Sequence, residues 1–516
     1  MPSSDIRLKK VLVRAVYGII YSTFVYLSGC SNEQQKQEEL VAKRYCGSCH
    51  AFPAASLLDK TTWANSVLPS MGKMMGVKGI SNNPFEEVDE LYNPPQPSMA
   101  TPEEWKKIVS YYISNAPEVA PPQSRNGIKD YTTQFLVVAA PSNASPPANT
   151  FVKIDQQNRL IYASNRSDSA VYVYNSNVNL LSKQNVHGVL IDMDFNPSLQ
   201  QAGERKGVLT KIGIMDPNDF KTGSAETFEM DGTGKIHSQL QLFDTLQRPV
   251  QVVATDLDRN GATDYVVCAF GNKMGSFYWM RNLGNNRFES KPLKDLPGAI
   301  KCYVDDYNSD GWADIMVLFG QAEEGIYLFL NKGDGQFEEK QILRFPPVYG
   351  SSYFELQDMN GDGKKDIIYT CGDNADYSSK VLKNYHGVYV FLNEGNFAYR
   401  EMYFFPLNGA YKAIARDYDS DGDMDIAAIS FFPDKMHQPQ EAFVYLENTG
   451  QWNFKPATIS GYDQGNWITM DAGDVDQDGD EDIVIGSLFL PYQTSGKEQQ
   501  FADKPLFLLL RNNAVR

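Results

Sequence analysis

The chain has 516 residues, of which 42% are hydrophobic, so its length allows a large repeat array beside a smaller unit. Its formal net charge is -17, and this acidic balance argues against a partner that presents a phosphate backbone. Six cysteines are too few for a disulfide framework in a chain of this length.

The N-terminus has the pattern of an export signal. Basic residues at positions 7–14 precede an apolar run at 15–27, which is short for a membrane span. Leu27-Ser28-Gly29-Cys30 follows and resembles the lipobox of bacterial lipoproteins. The resemblance implies a signal peptide at 1–29, lipidation of Cys30 and an extracytoplasmic anchor, with Ser31 favouring the outer membrane on its periplasmic or surface side. An uncleaved anchor and an ordinary signal are the alternatives.

A short cysteine and histidine motif follows a predicted helix at residues 34–45. The motif is Cys46-Gly47-Ser48-Cys49-His50, in which two thiols can bind haem vinyl groups and the imidazole can bind the iron. A redox disulfide or half of a zinc site are alternatives, although no further Cys or His occurs before His187. We predict one covalent haem c held by Cys46, Cys49 and His50.

The remainder of residues 30–118 predicts a small all-α domain. Thr101 is a candidate N-cap, Pro102 suits the first helical position, and apolar residues from Trp105 to Ile113 form one helical face. A terminal helix packed on the helix that carries the motif resembles a small cytochrome c.

The sixth haem ligand is predicted to be a methionine. Residues 63–72 resemble the segment found in monohaem domains fused to repeat propellers, and this resemblance implies Met71. The alternative is Met99, because in common small cytochromes c the ligand precedes the last helix. Thioether ligation raises the reduction potential relative to two imidazoles.

Residues 119–149 form a Pro-rich linker, and residues 150–516 form a repeat array. Asp-rich stretches begin at positions 256, 306, 358, 417 and 474, so successive starts lie 50 to 59 residues apart. Four strands fit each repeat, which is one propeller blade. Two blades fit before Asp256: Phe151–Tyr174 without an Asp loop, then one with a degraded copy at Asp192–Asn196. We predict a mainly β protein with a seven-bladed β-propeller, six or eight being the alternatives, closed by a strand at Phe135–Val138.

The Asp-rich stretches resemble the FG-GAP or VCBS repeats of integrin alpha chains and bacterial surface proteins, whose loops hold calcium. Calcium prefers six to eight hard oxygens, and a tight loop of alternate carboxylates supplies them. The alternative is a metal-free turn. The resemblance implies up to five calcium ions, with ligands at these positions: Asp256, Asp258, Asn260, Asp264, Asp306, Asn308, Asp310, Asp314, Asp358, Asn360, Asp362, Asp366, Asp417, Asp419, Asp421, Asp425, Asp474, Asp476, Asp478 and Asp482.

The face opposite the Asp loops collects the longest connections, at residues 372–387, 431–441 and 491–504. Its densest polar group is a candidate ligand rim formed by Asp373, Asp376, Tyr377 and His386. The alternative is a loop whose Asp and Asn side chains cap their own backbone. Three later cysteines are predicted buried thiols, with pairing of two as the alternative; they are Cys268, Cys302 and Cys371.

These features predict an extracytoplasmic, membrane-anchored electron-transfer protein whose propeller recognises a partner or ligand. Its redox partner, protein or small molecule, is not identified by the sequence. No catalytic triad, carboxylate pair or phosphate loop is present, which favours an electron carrier over a catalyst. The alternatives are a haem-coupled dehydrogenase with its active site on the propeller, and a surface binding or adhesion module.

Overall fold

The computed structural model describes residues 33–77, 95–125, 127–141, 145–195, 205–375 and 381–514. The predicted signal peptide and Cys30 lie outside these residues, as do Asp376 and Tyr377 of the predicted rim. The chain divides into two compact units, with the boundary between Ala120 and Pro121. In the described part, no helix has both the length and the apolar character needed to cross a membrane.

The first unit is helical. Its predicted first helix runs from residue 33 to 46. The predicted N-cap of the last helix is confirmed, because Thr101 Oγ1 accepts from the Glu104 N–H and the Glu104 carboxylate accepts from the Thr101 N–H. The other helical segments and the last helix are Ala55–Leu57, Lys60–Thr62, Trp63–Val67, Leu68–Met74 and Pro102–Asn115.

An aromatic core holds these segments together. The Trp63 indole N–H donates to the Ala55 carbonyl at 2.8 Å, and the Trp63 ring centroid lies 4.2 Å from that of Tyr112. The Tyr112 hydroxyl donates to the Pro53 carbonyl at 3.0 Å. Because both aromatic side chains are buried and both polar groups are paired, the last helix is fixed to the chain that follows the cysteine and histidine motif.

The second unit contains seven sheets of four or five strands, arranged as the seven predicted blades. Its first strands in sequence are Asp130–Tyr131 (β1) and Phe135–Ala139 (β2). Blade 1 contains Val152–Asp155 (β3), Leu160–Asn165 (β4), Ala170–Asn175 (β5) and Leu180–Asn185 (β6). Blade 2 contains Leu190–Phe195 (β7), Arg205–Lys211 (β8), Gly223–Met230 (β9) and Ile236–Leu246 (β10).

Blades 3 to 7 carry the five Asp loops. Their strands are Pro249–Thr255 (β11), Asp264–Ala269 (β12), Ser276–Asn282 (β13), Phe288–Lys294 (β14), Ala299–Asp305 (β15), Asp314–Phe319 (β16), Gly325–Asn331 (β17), Phe337–Arg344 (β18), Ser351–Gln357 (β19), Asp366–Cys371 (β20), Gly387–Gly395 (β21), Ala398–Pro406 (β22), Ala410–Arg416 (β23), Asp425–Ser430 (β24), Phe443–Asn448 (β25), Phe454–Thr458 (β26), Trp467–Gly473 (β27), Asp482–Ser487 (β28) and Phe507–Asn512 (β29). Short helical turns interrupt two long connections, at Pro439–Ala442, Pro491–Thr494 and Glu498–Phe501.

The burial pattern follows the position of a strand within its blade. In β12, β16, β20, β24 and β28, the second strands of blades 3 to 7, every residue is buried. These strands are apolar almost throughout because both of their faces pack against neighbouring blades. The fourth strands, such as β18, are largely exposed, because they form the outer edge of the ring. The hydrophobic core is therefore divided into clusters between successive blades.

The ring is closed by the N-terminal strand, as predicted. β2 pairs antiparallel with β29, from Phe135 opposite Asn512 to Ala139 opposite Leu508, and so supplies the fourth strand of blade 7. β1 adds in parallel to β26 at the outer edge of blade 6, which the sequence did not predict. Closing the ring with strands distant in sequence removes an open edge at the junction between the first and last blades.

The segment that precedes β1 is also fixed to the blades of the propeller. The Gln123 side-chain amide donates to the Lys383 and His386 carbonyls, at 3.1 and 2.7 Å. The Arg125 guanidinium forms an ion pair with Glu441, and both side chains are buried. Residues 123–125 and 127–139 therefore form a strap across blades 5 to 7, whereas the composition of residues 119–149 had predicted a spacer. The composition could not reveal Glu441, which lies far away in sequence.

Candidate functional site

The five Asp loops connect the first and second strands of blades 3 to 7 and share one backbone conformation. In the loop of blade 6, the Asp417 carboxylate accepts from the N–H groups of Asp421 and Gly422, both at 3.1 Å. Gly422 has a φ of 98°, which favours glycine at this turn. The first Asp of each of the other loops accepts the same pair of N–H groups.

Three loops bring three carboxylates close enough to share one cation. The candidate ligand atoms within each group lie within 4.8 Å of one another, in the groups Asp256, Asp258 and Asp264; Asp417, Asp419 and Asp421; and Asp474, Asp476 and Asp482. In the loops beginning at Asp256, Asp306 and Asp358, one of the four predicted oxygen ligands is an Asn. Oxygen-rich groups of this kind suit a hard divalent cation.

The last Asp of each loop has a structural role that the sequence did not reveal. Asp425 is fully buried, and its carboxylate accepts from the Tyr445 hydroxyl at 2.6 Å and from the Asn448 and Tyr418 N–H groups at 2.7 and 3.3 Å. The Asn448 side chain in turn donates to the Met424 carbonyl and accepts from the Gly450 N–H. This Asp–Asn lock joins the Asp loop to the end of the third strand.

The Asp–Asn lock recurs in all five of these blades. Its acidic members accept the backbone N–H of the Asn at the end of the third strand, in the pairs Asp264 with Asn282, Asp314 with Asn331, Asp366 with Asn393, Asp425 with Asn448, and Asp482 with Asn512. A signal was present in the sequence, because four of these Asn residues precede a Gly by two positions. In the sequence, an Asn two positions before a Gly predicts only a turn. Its hydrogen bond to the last Asp of the loop is evident only once the structure places the third strand beside the loop.

Burial and neighbouring negative charge make these carboxylates hard to ionise without a cation. Burial raises the pKa of Asp425 and of Asp482 to about 7, and it also raises the pKa values of Asp264, Asp314 and Asp366. Adjacent Asp carboxylates act in the same direction in each loop. A bound divalent cation would reverse this effect by favouring the ionised forms.

The predicted haem-binding residues lie at the end of the first helix and in the turn after it. Cys46 is half-buried, and burial raises the pKa of its thiol, whereas Cys49 is exposed; neither is in a disulfide. A Cβ on Gly47 would lie 2.6 Å from the Lys43 carbonyl oxygen, so this turn requires glycine. His50 Nδ1 lies 3.0 Å from the Ala51 carbonyl oxygen. Because a carbonyl only accepts, Nδ1 carries the proton, and Nε2 is left in the form that binds metals.

The two candidate sixth ligands differ in exposure. Met71 is half-buried in the segment Leu68–Met74, which continues a π-helical turn at Trp63–Val67. Met99 is 40% exposed, and its N–H donates to the Met75 carbonyl at 2.9 Å. Both assignments stay predictions.

The described residues of the predicted ligand rim, Asp373 and His386, are less exposed than a surface binding site requires. His386 is fully buried, and burial lowers its pKa well below the ordinary value, so this side chain is not presented at the surface. The strap residue Gln123, which binds the His386 carbonyl, helps to enclose it. The half-buried Asp373 accepts from the Ala375 N–H at 2.8 Å, which is the backbone capping of the alternative interpretation.

The three cysteines of the propeller are free and buried, as predicted. The Cys268 and Cys302 side chains lie in one core cluster between blades 3 and 4, where burial raises the pKa of the Cys268 thiol. The Cys371 thiol donates to the Tyr385 carbonyl at 3.3 Å. These thiols fill the core as small apolar side chains.

Comparison with known proteins identifies the repeats. Three stretches match the FG-GAP-like repeat, at residues 256–317, 306–369 and 417–485. Integrin alpha-PS5 of Drosophila melanogaster is 31% identical over 176 residues, which cover 29% of this chain and only 17% of that protein. The chain therefore contains FG-GAP repeats on a seven-bladed β-propeller, an architecture consistent with recognition of a ligand or partner.

Two solved structures are similar to this chain at low sequence identity. The Dos1 propeller is 8% identical, with a TM-score of 0.41 over 71% of this chain and 80% of that chain. The major allergen Mala s 1 of Malassezia sympodialis is 11% identical, with a TM-score of 0.34 over 72% of this chain and 96% of that chain.

Proposed function

We propose that this protein is an extracytoplasmic electron-transfer protein, anchored to a bacterial outer membrane through Cys30, with one covalent haem c and a calcium-binding recognition propeller. The observation that carries the proposal is the arrangement of Cys46, Cys49 and His50 after a helix in a compact helical unit. Cys46 and Cys49 would hold the haem through thioether bonds, and His50 would supply a nitrogen ligand to its iron, with Met71 or Met99 as the candidate sulfur ligand. The haem would supply an iron that accepts and releases one electron.

The residues around the motif support this assignment. The hydrogen bond from His50 Nδ1 to the Ala51 carbonyl holds one tautomer and one ring orientation. Gly47 lets the chain turn tightly between the two thiols. Exported chains also suit the haem assignment, because c-type attachment takes place outside the cytoplasm.

Replacing Cys46 and Cys49 by alanine should abolish covalent haem. The full chain would be expressed with its export signal and the haem-maturation machinery, and haem would be measured by pyridine haemochrome absorption and haem staining after denaturation. We expect one haem per wild-type chain and none in the double variant. Ser48→Ala is the matched control, because Ser48 is an exposed residue between the two thiols. A wild-type chain without c-type absorption would refute the haem and the electron-transfer role.

We also propose that the Asp loops bind calcium and stiffen the propeller. Binding to the folded state alone stabilises it by about 2.7 kcal/mol at a ligand concentration of 100 Kd. Calcium should therefore raise the Tm of the second unit, and chelation should lower it, as measured by calorimetry. Asp417→Ala should reduce the number of ions bound by one. Asp334→Ala replaces an exposed turn Asp outside the Asp loops, so it should leave the number of bound ions unchanged. Equal Tm values with calcium and with chelator would contradict the proposal.

A second candidate function is a surface recognition module in which electron transfer plays no part. The observation that favours it is the similarity of the repeats to Integrin alpha-PS5. This alternative predicts that binding to a cell surface or matrix protein persists in the double variant Cys46→Ala and Cys49→Ala. The electron-transfer proposal predicts instead that the variant loses reduction by a redox donor.

A further inference from the structure

The first strands of the seven blades surround the axis of the propeller. Six of them carry the same register shift near the start of the strand. The residues that follow the shift occupy equivalent positions around the axis: Asp192, Gln251, Lys301, Tyr353, Lys412 and Thr469. This central channel was not predicted, because these positions share no residue type.

Charged side chains from blades that are not neighbours meet in the channel. Burial raises the pKa of Asp192 in blade 2, whereas Lys301 in blade 4, Lys153 in blade 1 and Lys412 in blade 6 act to lower it. Only positions near the common axis bring side chains of these separate blades within electrostatic range of one another. All four residues are partly exposed, so they line the channel without being sealed from solvent.

One side of the channel is cationic and aromatic. The Lys412 ammonium lies 4.5 Å from the ring centroid of Tyr353, and the Lys301 ammonium lies 5.3 Å from that of Tyr303. The two tyrosine hydroxyl oxygens are 3.5 Å apart, so these groups of blades 4 to 6 are close together. In the part of the chain that the structure describes, neither ammonium has a carboxylate within 4.0 Å.

The groups around the channel act unequally on the pKa values of the two lysines. Burial opposes the charge of Lys301, but Tyr303, Asp192 and Asp194 outweigh it, and the pKa of Lys301 is raised. Burial lowers the pKa of Lys412 to about 8. The positive charges of Lys301 and Lys153 also lower this pKa, whereas the negative charge of Asp471 raises it. Lys153 already pairs with Asp471 at 3.6 Å. Because Asp471 is already paired with Lys153 and no carboxylate of the described residues lies within 4.0 Å of Lys412, the Lys412 ammonium is the least directly compensated cation of the channel.

We propose that the central channel binds a small oxyanion, a carboxylate or a tetrahedral anion such as phosphate, between the ammonium groups of Lys412 and Lys301. Such an anion provides the charge-assisted hydrogen bonds that these ammonium groups lack within the protein. A partly buried ammonium without an anionic partner is costly, so the anion also stabilises the channel. Asp192 and Asp194 on the opposite side limit the charge and the size of the anion that fits. The proposal depends on neither haem nor calcium.

The test is titration calorimetry of the calcium-loaded full chain with acetate and, separately, with sulfate as a tetrahedral probe that tolerates calcium. We expect one site per chain, and the tighter probe identifies which anion chemistry the channel prefers. Lys412→Met and Lys301→Met should each weaken binding at least tenfold. Lys455→Met is the matched control, because Lys455 is an exposed lysine on the outer strand of blade 6, and it should leave the affinity unchanged.

A second variant keeps the proposal falsifiable if a lysine variant does not fold. Asp192→Asn removes a competing negative charge, so it should tighten anion binding by several-fold. Absence of binding by both probes in the wild-type chain would overturn the proposal. Wild-type affinity in the folded Lys412→Met variant, or in Asp192→Asn, would also overturn it, because the anion would then bind outside the channel.

Discussion

Arg125→Ala is expected to lower the stability of the second unit by about 3–5 kcal/mol, because it leaves a buried carboxylate without its ionic partner. Glu441 is fully buried, and it also accepts from the Asn408 side-chain amide at 2.9 Å and from the Asp434 N–H at 2.9 Å. These neutral donors cannot balance a full charge. Burial lowers the pKa of Arg125 to about 10, so the guanidinium is still charged at neutral pH.

The measurement is the shift of the propeller's calorimetric transition, since a chain with two units is not treated as two-state. Arg400→Ala is the matched control: Arg400 pairs with Glu394 at 2.6 Å, but both side chains are about half exposed. Such a surface pair contributes about 0–1 kcal/mol. Adding Glu441→Gln to Arg125→Ala should restore much of the loss, because a neutral amide is less costly to bury. Equal effects of the Arg125 and Arg400 variants would show that the strap does not stabilise the propeller.

Asp425→Ala should destabilise the propeller by about 3 kcal/mol or more, even in the presence of chelator. The substitution leaves the Tyr445 hydroxyl and the Asn448 and Tyr418 N–H groups without an acceptor. Each buried donor left unpaired costs about 1–3 kcal/mol. The lost interactions include the lock between the Asp loop and the third strand, so the effect does not depend on calcium.

Asp417→Ala separates the structural effect from the loss of calcium. The N–H groups that Asp417 binds belong to exposed residues, so water can replace the carboxylate. In the presence of chelator, the free energy of unfolding of this variant should fall by only about 0.5–1.5 kcal/mol. With calcium present, both variants should also lose the stabilisation provided by one ion. If Asp425→Ala matched Asp417→Ala in chelator, the Asp–Asn lock would have no structural role.

Much of the propeller could be predicted because its signals are local. The Asp loops repeat at a constant position within each blade, and the flanking apolar runs give the second and third strands. Thr101 and Pro102 likewise predicted the start of the last helix of the first unit, because a cap depends on residues within one turn. The missing fourth strand of the last blade predicted that an N-terminal strand must complete the ring, and β2 does so.

The interactions that were missed connect residues far apart in sequence. Arg125 and Glu441 are ordinary charged residues until the strap places one against the other. His386 was expected at the surface because a polar loop residue usually lies there, but the strap and blade 5 enclose it. The charged channel required the register shift in six blades, which no single blade reveals.

The sequence by itself predicted the repeat, a count of seven blades and the ring closure, which the structure confirms, and it supplied the residues on which the haem and calcium proposals rest. These features follow from short-range chemistry: ligands two residues apart, a glycine at a tight turn, and two thiols before a histidine. Only the tertiary structure decided which carboxylates lock a blade, which charges are buried in pairs, and which channel lysines lie, within the described residues, more than 4.0 Å from any carboxylate. The physical reason is that burial and charge compensation depend on neighbours in space, and closing a ring makes neighbours of residues that are hundreds of positions apart.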